Sequence, residues 1–286
     1  MTAGARARST TTAEPQRVSS RPVPPTIGRQ ERFARVASTN DVVRDWLVAG
    51  EPEICLARAD EQTAGRGRNG RTWTAPPGSG LLVSVGFRPQ WLPVDRVWRL
   101  AAIVSLAMAD AAEAVSGLPN GTVRLKWPND LMIVGEPGAT ARKLAGVLGE
   151  TDGLGTGDPR AVVGIGVNVD WPAETVPPEL AATMISLSAA AGSRRVDPTT
   201  LYDAFTLRLE ARVAALFDGR FDDDAWAGRQ VTTGRPIRLE LPDGTSENVV
   251  ARGVDPATGA LIVADDDGVA ERSILVGEIR HVRLGV

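Results

Sequence analysis

The chain of 286 residues carries 30 arginines but only two lysines, Lys126 and Lys143, and both fall in dense polar segments. A lysine ammonium is a compact point charge with an adjustable pKa that a planar guanidinium does not imitate, so two lysines kept against such a bias suggest functional positions; an accident of nucleotide composition would give the same count. Lys126-Trp127-Pro128-Asn129-Asp130 sets a cation, an amide and a carboxylate within five residues. That set is a dense polar cluster between strands; alone it equally fits a turn closed by an internal salt bridge. Lys143 opens a second segment, Lys143-Leu144-Ala145-Gly146. The most unusual stretch runs from Gln62 to Trp73 and contains Gly65-Arg66-Gly67-Arg68-Asn69-Gly70-Arg71. Its glycines let backbone N–H groups approach a ligand, its arginines offer forked donors to carboxylate or phosphate, and Trp73 can stack on a base or pack the loop down. The same residues also read as a solvated basic loop or an RNA-gripping segment. The run is short, bracketed by strands and unrepeated, which argues against the RNA reading. In Gly164-Ile165-Gly166-Val167-Asn168, two glycines within an apolar strand indicate close approach of a ligand or another backbone. The third glycine and following helix of a dinucleotide-binding turn are missing.

These segments need elements to hold them. Ser38 or Thr39 caps a helix with Val42, Val43, Trp46 and Leu47 at helical spacing, ended by Gly50. Ile54–Ala59 and Leu81–Phe87 read as strands flanking the glycine-rich loop from Glu61 to Gly80. A helix from about Asp95 to Val115 buries Leu100, Val104, Met108 and Ala111 and stops at Gly117. Strands follow at Val123–Lys126, Leu131–Val134, Leu144–Leu148 and Ala161–Val169. Leu201, Phe205, Leu209, Val213 and Leu216 mark a last amphipathic helix before Gly219. Beyond it, Ile237/Leu239/Leu241, Val249/Ala251, Leu261/Val263 and Ile274/Val276 alternate with polar residues. Turns at Asp243-Gly244, Thr258-Gly259 and Asp267-Gly268 separate them. The reading is therefore a disordered tail over 1–30, an α+β domain over 31–225 with a mixed or antiparallel sheet, and a small all-β barrel over 231–286.

Composition narrows the function. A net charge of −3 does not advertise an electrostatic nucleic-acid binder, and no specific DNA partner is expected. Cys55 is the single cysteine, which excludes an intramolecular disulfide and any multi-cysteine metal site and fits a reducing compartment. No apolar stretch is long enough to span a bilayer, and the arginine-containing start lacks the apolar core of a secretory signal. The expectation is a cytoplasmic protein without a membrane partner.

The order Ser38-Thr39-Asn40, Gln62-x-x-Gly65-Arg66-Gly67-Arg68-x-Gly70-Arg71-x-Trp73, Lys126-Trp127-Pro128-Asn129-Asp130, Lys143-Leu144-Ala145-Gly146 and Gly164-x-Gly166-x-Asn168 resembles the biotin–protein ligases. The resemblance covers about residues 36 to 286, and Ser186-Leu187 matches the family's later Ser-Leu. It implies a catalytic domain like that of class II aminoacyl-tRNA synthetases and an SH3-like C-terminal barrel. It also implies the reaction: ATP activates biotin to biotinyl-5'-AMP, and biotin passes to a lysine of the biotin carboxyl carrier domain of an acyl-CoA carboxylase. ATP with Mg2+ would be co-substrate and activator, biotin the substrate, with no tightly bound prosthetic group.

Residue by residue, the resemblance assigns biotin to Ser38, Thr39, Asn40, Gln62, Gly65, Arg66, Gly67, Arg68, Lys143 and Gly146. It assigns the nucleotide to Arg68, Arg71, Trp73, Lys126, Asn129 and Asn168. Lys143, Arg68 and Lys126 would be catalytic, and Asp130 would hold magnesium. Two departures stand out. The stretch from Gly135 to Arg142 is longer than the family's tight turn and reads as a protruding hairpin. The 37 residues before Ser38 are too few and too polar for the winged helix that makes some relatives repressors, so a ligase without repressor activity is expected. A homodimer is possible in this fold. Two other classes compete: a lipoate or octanoate ligase of related fold, and an Arg/Gly-loop nucleic-acid binder. The former's signature includes a His-Asp pair, whereas the only histidine here is His281 near the C-terminus, which reads as a surface or strand residue.

Overall fold

Runs rich in Val, Leu and Ile become a seven-stranded sheet in the computed structural model, which describes residues 23–135, 141–265, 270–276 and 281–284. The strands are β1 (Gln30–Phe33), β2 (Cys55–Ala59), β3 (Gly80–Phe87), β4 (Val123–Lys126), β5 (Asp130–Ile133), β6 (Arg142–Asp152) and β7 (Arg160–Asn168). Their order across the sheet is β1-β2-β3-β7-β6-β5-β4. Only β1 and β2 run parallel, so the sheet is mixed, as expected.

Side chains alternate across the strands, and each face has its own partner. Helices α1 (Thr39–Val48) and α2 (Trp98–Ser116) cover opposite faces. Cys55, Ala57 and Val162 point to α1 and pack on Val43, Trp46 and Leu47. Leu56, Val83, Val85, Val163 and Ile165 point the other way, to Leu100, Val104 and Met108 of α2. The short helices α3 (Pro178–Ala181) and α4 (Leu187–Ala190) lead to α5 (Pro198–Phe217), which lies beside α2. Ser186 caps α4 through a hydrogen bond from the Ala189 N–H, while Leu187 is fully buried, so the Ser-Leu pair is a cap and a core anchor. Gly117 ends α2 at φ 67°, in the left-handed region where glycine carries no Cβ penalty.

The larger unit extends past both expected boundaries. Thr26, Gly28 and Arg29 exchange backbone hydrogen bonds with Ile54 and Leu56, so the end of the expected tail runs alongside β2. Residues 1–22, the segment 136–140 expected to form a hairpin, and the Asp267-Gly268 turn lie outside the described residues. At the other end α6 (Asp223–Gly228), absent from the sequence reading, is capped by Asp222 and carries the buried Trp226. After it, Leu125 N–H donates to Arg229 C=O, and Val231 N–H to Leu125 C=O, so the linker covers the β4 edge.

The C-terminal strands β8 (Pro236–Glu240), β9 (Ser246–Val254), β10 (Leu261–Ala264), β11 (Glu271–Ile274) and β12 (His281–Leu284) form a second, antiparallel sheet in the order β11-β10-β9-β8-β12. β12 returns to pair with β8, as in a small barrel. Ile237, Leu239, Val249, Ala251, Leu261, Val263 and Ile274 are buried, as the alternation requires. Val276 departs from that reading: it lies beyond β11 and is exposed. Two ties to the larger unit are direct. Trp127 Nε1–H donates to Gly259 C=O at 2.9 Å, and Arg99 donates to Pro256 C=O at 3.0 Å. Trp127→Phe should therefore lower unfolding stability by about 1 kcal/mol, the net worth of one buried hydrogen bond. Urea unfolding checks this, and an unchanged midpoint would remove that bond from the account.

Cys55 is fully buried beneath α1. Burial, with Glu51 adding to it, pushes its thiol up to about 11. The thiolate is the reactive form, so Cys55 should stay unmodified by an aromatic disulfide reagent at pH 8 until the chain unfolds. Labelling of the native protein at the rate of a free thiol would contradict this.

Candidate active site

The site lies on the α1 face of the large sheet, where three glycines remove side chains from its floor. Gly146 pairs with Gly166 across β6 and β7, and Gly164 pairs with Leu148 on one side and Ser84 on the other. A Cβ at Gly166 would sit 2.5 Å from the Trp73 ring, and one at Gly164 would sit 2.1 Å from Asn40 Oδ1. The floor is hollow because the residues above it need the room.

The loop after β2 folds over that floor as a small tied hairpin. Trp73 N–H donates to Gly65 C=O at 2.9 Å and Gly67 N–H to Arg71 C=O at 2.7 Å. At the tip, Asn69 and Gly70 take φ of 55° and 72°. Gly65 is obligatory at the neck, since a Cβ there would lie 2.4 Å from the Trp73 carbonyl oxygen. Arg66 anchors the hairpin outward: its guanidinium donates to both oxygens of Asp41 at 2.8 Å and meets Glu150 at 3.3 Å. The hydrogen bonds from Arg66 hold the Asp41 carboxyl below the usual carboxylate range.

Most of the side chains singled out from the sequence converge on one cleft. Ser38, Thr39, Asn40, Gln62, Arg66, Gly67, Arg68, Arg71, Trp73, Asn129, Asp130, Lys143 and Gly146 line it. At one end Thr39 N–H donates to Gln62 Oε1 at 2.7 Å, and Thr39 Oγ1–H lies 3.0 Å from the same oxygen. Ser38 is the N-cap of α1, yet its hydroxyl makes no capping bond. The Trp73 indole lies against Gly146 and Gly166, its buried Nε1–H has no acceptor among the described residues, and Lys143 Nζ stands 5.5 Å from its ring centre.

At the other end the chain's two lysines meet one carboxylate. Lys143 Nζ is 2.6 Å from Asp130 Oδ1, and Lys126 Nζ is 3.9 Å from Asp130 Oδ2. Burial pushes the Lys126 ammonium below its ordinary range; Asp130 opposes this, while Lys143, Arg283 and Arg71 add to it. The backbone of Lys143 is fixed on several sides. Its N–H donates to Thr183 C=O at 2.7 Å, and its C=O accepts from Ile185 N–H at 3.0 Å.

Three expected site residues do not line the cleft itself. Gly65 serves the hairpin neck. Lys126 lines an adjoining cavity with Trp98, Trp226 and Gln230, which meets the cleft at Arg68, Asn129 and Asp130. Asn168 is buried and turns its amide to the Lys143 carbonyl at 3.5 Å, so in this structure it supports Lys143. His281 lies in β12. Arg68 faces the cleft and also donates to Val276 C=O at 3.1 Å, which joins the loop to the small sheet. Burial pushes its guanidinium below the ordinary arginine value.

Sequence reasoning missed Ser84, Asp41, Arg44 and Glu150. Ser84 Oγ donates to Asn40 Oδ1 at 2.6 Å and lies 2.7 Å from Thr39 Oγ1. Its signal was a lone hydroxyl inside the otherwise apolar strand from Leu81 to Phe87. Glu150 lies beyond the strand limit read at Leu148, so it was not placed on the same face as the site.

Known proteins resemble this chain in sequence and in fold. Residues 32–170 match the family model of the biotin/lipoate A/B protein ligases. The chain is 32% identical over 254 residues to the biotin–[acetyl-CoA-carboxylase] ligase of Mycobacterium tuberculosis, covering 87% of this chain and 88% of that one. The chain belongs to the biotin–protein ligase family. A second such ligase, from Paracoccus denitrificans, is 34% identical over 242 residues, covering 82% and 94% of the two chains. The biotin protein ligase of Aquifex aeolicus, solved in complex with biotin and ATP, superposes with a TM-score of 0.72 at 24% identity, covering 90% of this ligase and 99% of that chain. That likeness establishes the fold of both units, the larger mixed sheet and the smaller antiparallel one.

Proposed function

We propose that this ligase activates biotin with ATP and transfers it to a lysine of a biotin carboxyl carrier domain. The observation that carries the reading is the pairing of two chemistries in one cleft. A neutral hydrogen-bonding group of Thr39, Asn40 and Gln62 suits a cyclic urea, and Lys143 with Asp130 and Arg68 suits a carboxylate meeting a phosphate. Lipoate and octanoate carry no urea, so the Thr39 end of the cleft favours biotin over them.

In the first step a biotin carboxylate oxygen attacks the α-phosphorus of ATP and the bond to the β-phosphate oxygen breaks. The products are biotinyl-5'-AMP and pyrophosphate. Lys143 and Arg68 offset the charge that builds on the oxygens in between, in a site the hairpin closes to water. Trp73 and Arg71 border the nucleotide in this reading, and Asn129 lies beside its phosphates. In the second step the carrier lysine amine attacks the acyl carbon, loses a proton, and AMP leaves. Magnesium, when bound, neutralises the triphosphate. Asp130 would be the carboxylate that holds it. Asp130 is already in contact with Lys143, so binding the ion there would accompany a shift of Lys143 onto substrate.

A cytoplasmic setting belongs to the same proposal, supported by the free, buried Cys55 thiol and by the carrier substrate. So does a homodimer, for which the exposed residues of the edge strand β1 offer a surface. Among the described residues, no helix is long and apolar enough to cross a membrane. The test is incubation with biotin, ATP, Mg2+ and a carrier domain, followed by probing for attached biotin. ATP-dependent labelling of the carrier lysine is expected; no labelling, or equal labelling with lipoate, would overturn the reading.

A further inference from the structure

The glycine-rich hairpin is tied to the same helical turn that supplies the Thr39 end of the cleft. Thr39, Asn40 and Asp41 are successive residues at the start of α1. Thr39 and Asn40 line the cleft, whereas Asp41 receives the Arg66 guanidinium. Arg66 Nη1 donates to Asp41 Oδ2 and Nη2 to Asp41 Oδ1, both at 2.8 Å, the two-pronged geometry in which a guanidinium best holds a carboxylate. Arg44 braces the pair, donating to Asp41 and to Glu150 at 2.7 Å each. The helix side of this tie is fixed, because Val43, Trp46 and Leu47 pack on Cys55, Ala57 and Val162 of the sheet. The hairpin side is not: no residue from Arg66 to Trp73 is buried. A segment with so little packing depends on its polar ties for its position.

We propose that Asp41 is a positioning residue that latches the hairpin through Arg66, so that opening of this pair gates both entry to the cleft and escape from it. The proposal rests on the functional reading above, in which the ligands are biotin and biotinyl-5'-AMP. Both halves of the latch belong to the chain, so it favours the shut hairpin equally with and without a ligand beneath it. Weakening it therefore speeds entry and escape together and leaves their ratio, the dissociation constant, nearly unchanged.

Asp41→Asn keeps the shape and removes the charge. Biotin association is followed by stopped-flow tryptophan fluorescence. Adenylate release is followed by chasing preformed labelled biotinyl-5'-AMP with unlabelled biotin and ATP. Both rates should rise about threefold to tenfold, since a pair a little over one-third exposed is screened by water, yet its two-pronged geometry lifts it above an ordinary surface pair. The dissociation constant for biotin should stay within about twofold of wild type. The melting temperature should fall by no more than about 4 °C, the share of a carboxylate in a first helical turn. Added sodium chloride should quicken release from wild type more than from Asp41→Asn. Arg66→Gln should raise the same two rates, and the double variant should be no faster than the faster single one.

Unchanged release in Asp41→Asn would overturn the proposal. So would slower release, which would mean that Arg66 leaves Asp41 for the ligand. Faster release with unchanged association would also overturn it, because Asp41 would then act on affinity and not on gating. Multiplication of the two single effects would do the same. If Arg66→Gln does not fold, the two rates in Asp41→Asn decide the matter alone. A wild-type protein that forms no adenylate would instead sink the functional reading, whereas normal adenylate formation with unaltered rates in Asp41→Asn sinks the latch alone.

Discussion

Lys143→Arg should slow adenylate formation about a hundredfold or more, although it keeps the charge. That corresponds to roughly 2.7 kcal/mol of lost transition-state stabilisation. The reason is space and direction. Lys143 Nζ reaches Asp130 at 2.6 Å, and its last atoms lie 3.2 and 3.3 Å from where a Cβ on Gly146 would stand. A planar guanidinium is wider than an ammonium and holds its donors in a fixed fork. Between Asp130, Gly146 and the Trp73 ring, it would either displace the substrate carboxylate or point its donors elsewhere. Folding should be unaffected, since the side chain is not in the core. The check is single-turnover release of pyrophosphate alongside thermal unfolding. Wild-type turnover in the variant would withdraw Lys143 from the reacting centre.

Gly164→Ala should weaken biotin binding by about tenfold to a hundredfold. The added methyl would lie 2.1 Å from Asn40 Oδ1 and 3.0 Å from its Cγ, too close for either atom to remain. Asn40 has little room to yield, because Ser84 holds one end of its amide and Glu150 the other. Asn40 is therefore displaced from the pocket wall, and losing its placement at about 1.4 kcal/mol per tenfold of affinity gives the expected range. The strand itself tolerates alanine, so the loss should appear in titration calorimetry with biotin more than in the melting temperature. A dissociation constant within twofold of wild type would show that Asn40 does not shape the pocket.

These two residues show which parts of the architecture could be read in advance. Gly164 was legible as a place of close approach because glycine in an apolar strand has no packing reason to be there. The occupant of that space, Asn40, was not legible as such. It comes from a helix more than a hundred residues earlier in sequence, and only the β3-β7 register brings the two together. Strands β2 to β7 and the long helices were readable because apolar runs and helical spacing report directly on burial, whereas the largely exposed β1 was not read. The start of the sheet was misjudged: Thr26 to Arg29 carry no apolar alternation and are held through backbone bonds to β2, which leave no mark on side-chain pattern. Helix α6 was missed for a related reason, being short and anchored by one buried tryptophan.

The site followed the same rule. Residues whose types are unusual in this composition, the two lysines and the Gly/Arg loop, were singled out. Those whose types are common were not: Glu150 is one acid among many, and its meaning depends on meeting Arg44, Arg66 and Asn40 across three elements. Arg66 was read as a ligand-gripping side chain, but its guanidinium is turned to Asp41 and Glu150, where it ties the hairpin to α1. Asn168 was read as bordering the nucleotide, and its amide faces the Lys143 carbonyl instead. In both cases side-chain direction, which motif spacing does not encode, decides what the residue touches.

This cleft is proposed to activate a carboxylate bearing a urea head group. That activity is tested most directly by a rapid-quench measurement of pyrophosphate release from ATP and Mg2+, with no carrier protein present. A biotin-dependent burst of one equivalent per active site is expected, with biotinyl-5'-AMP retained in the cleft and no burst with lipoate or octanoate. A burst of equal size with lipoate or octanoate, or none with biotin, would contradict it.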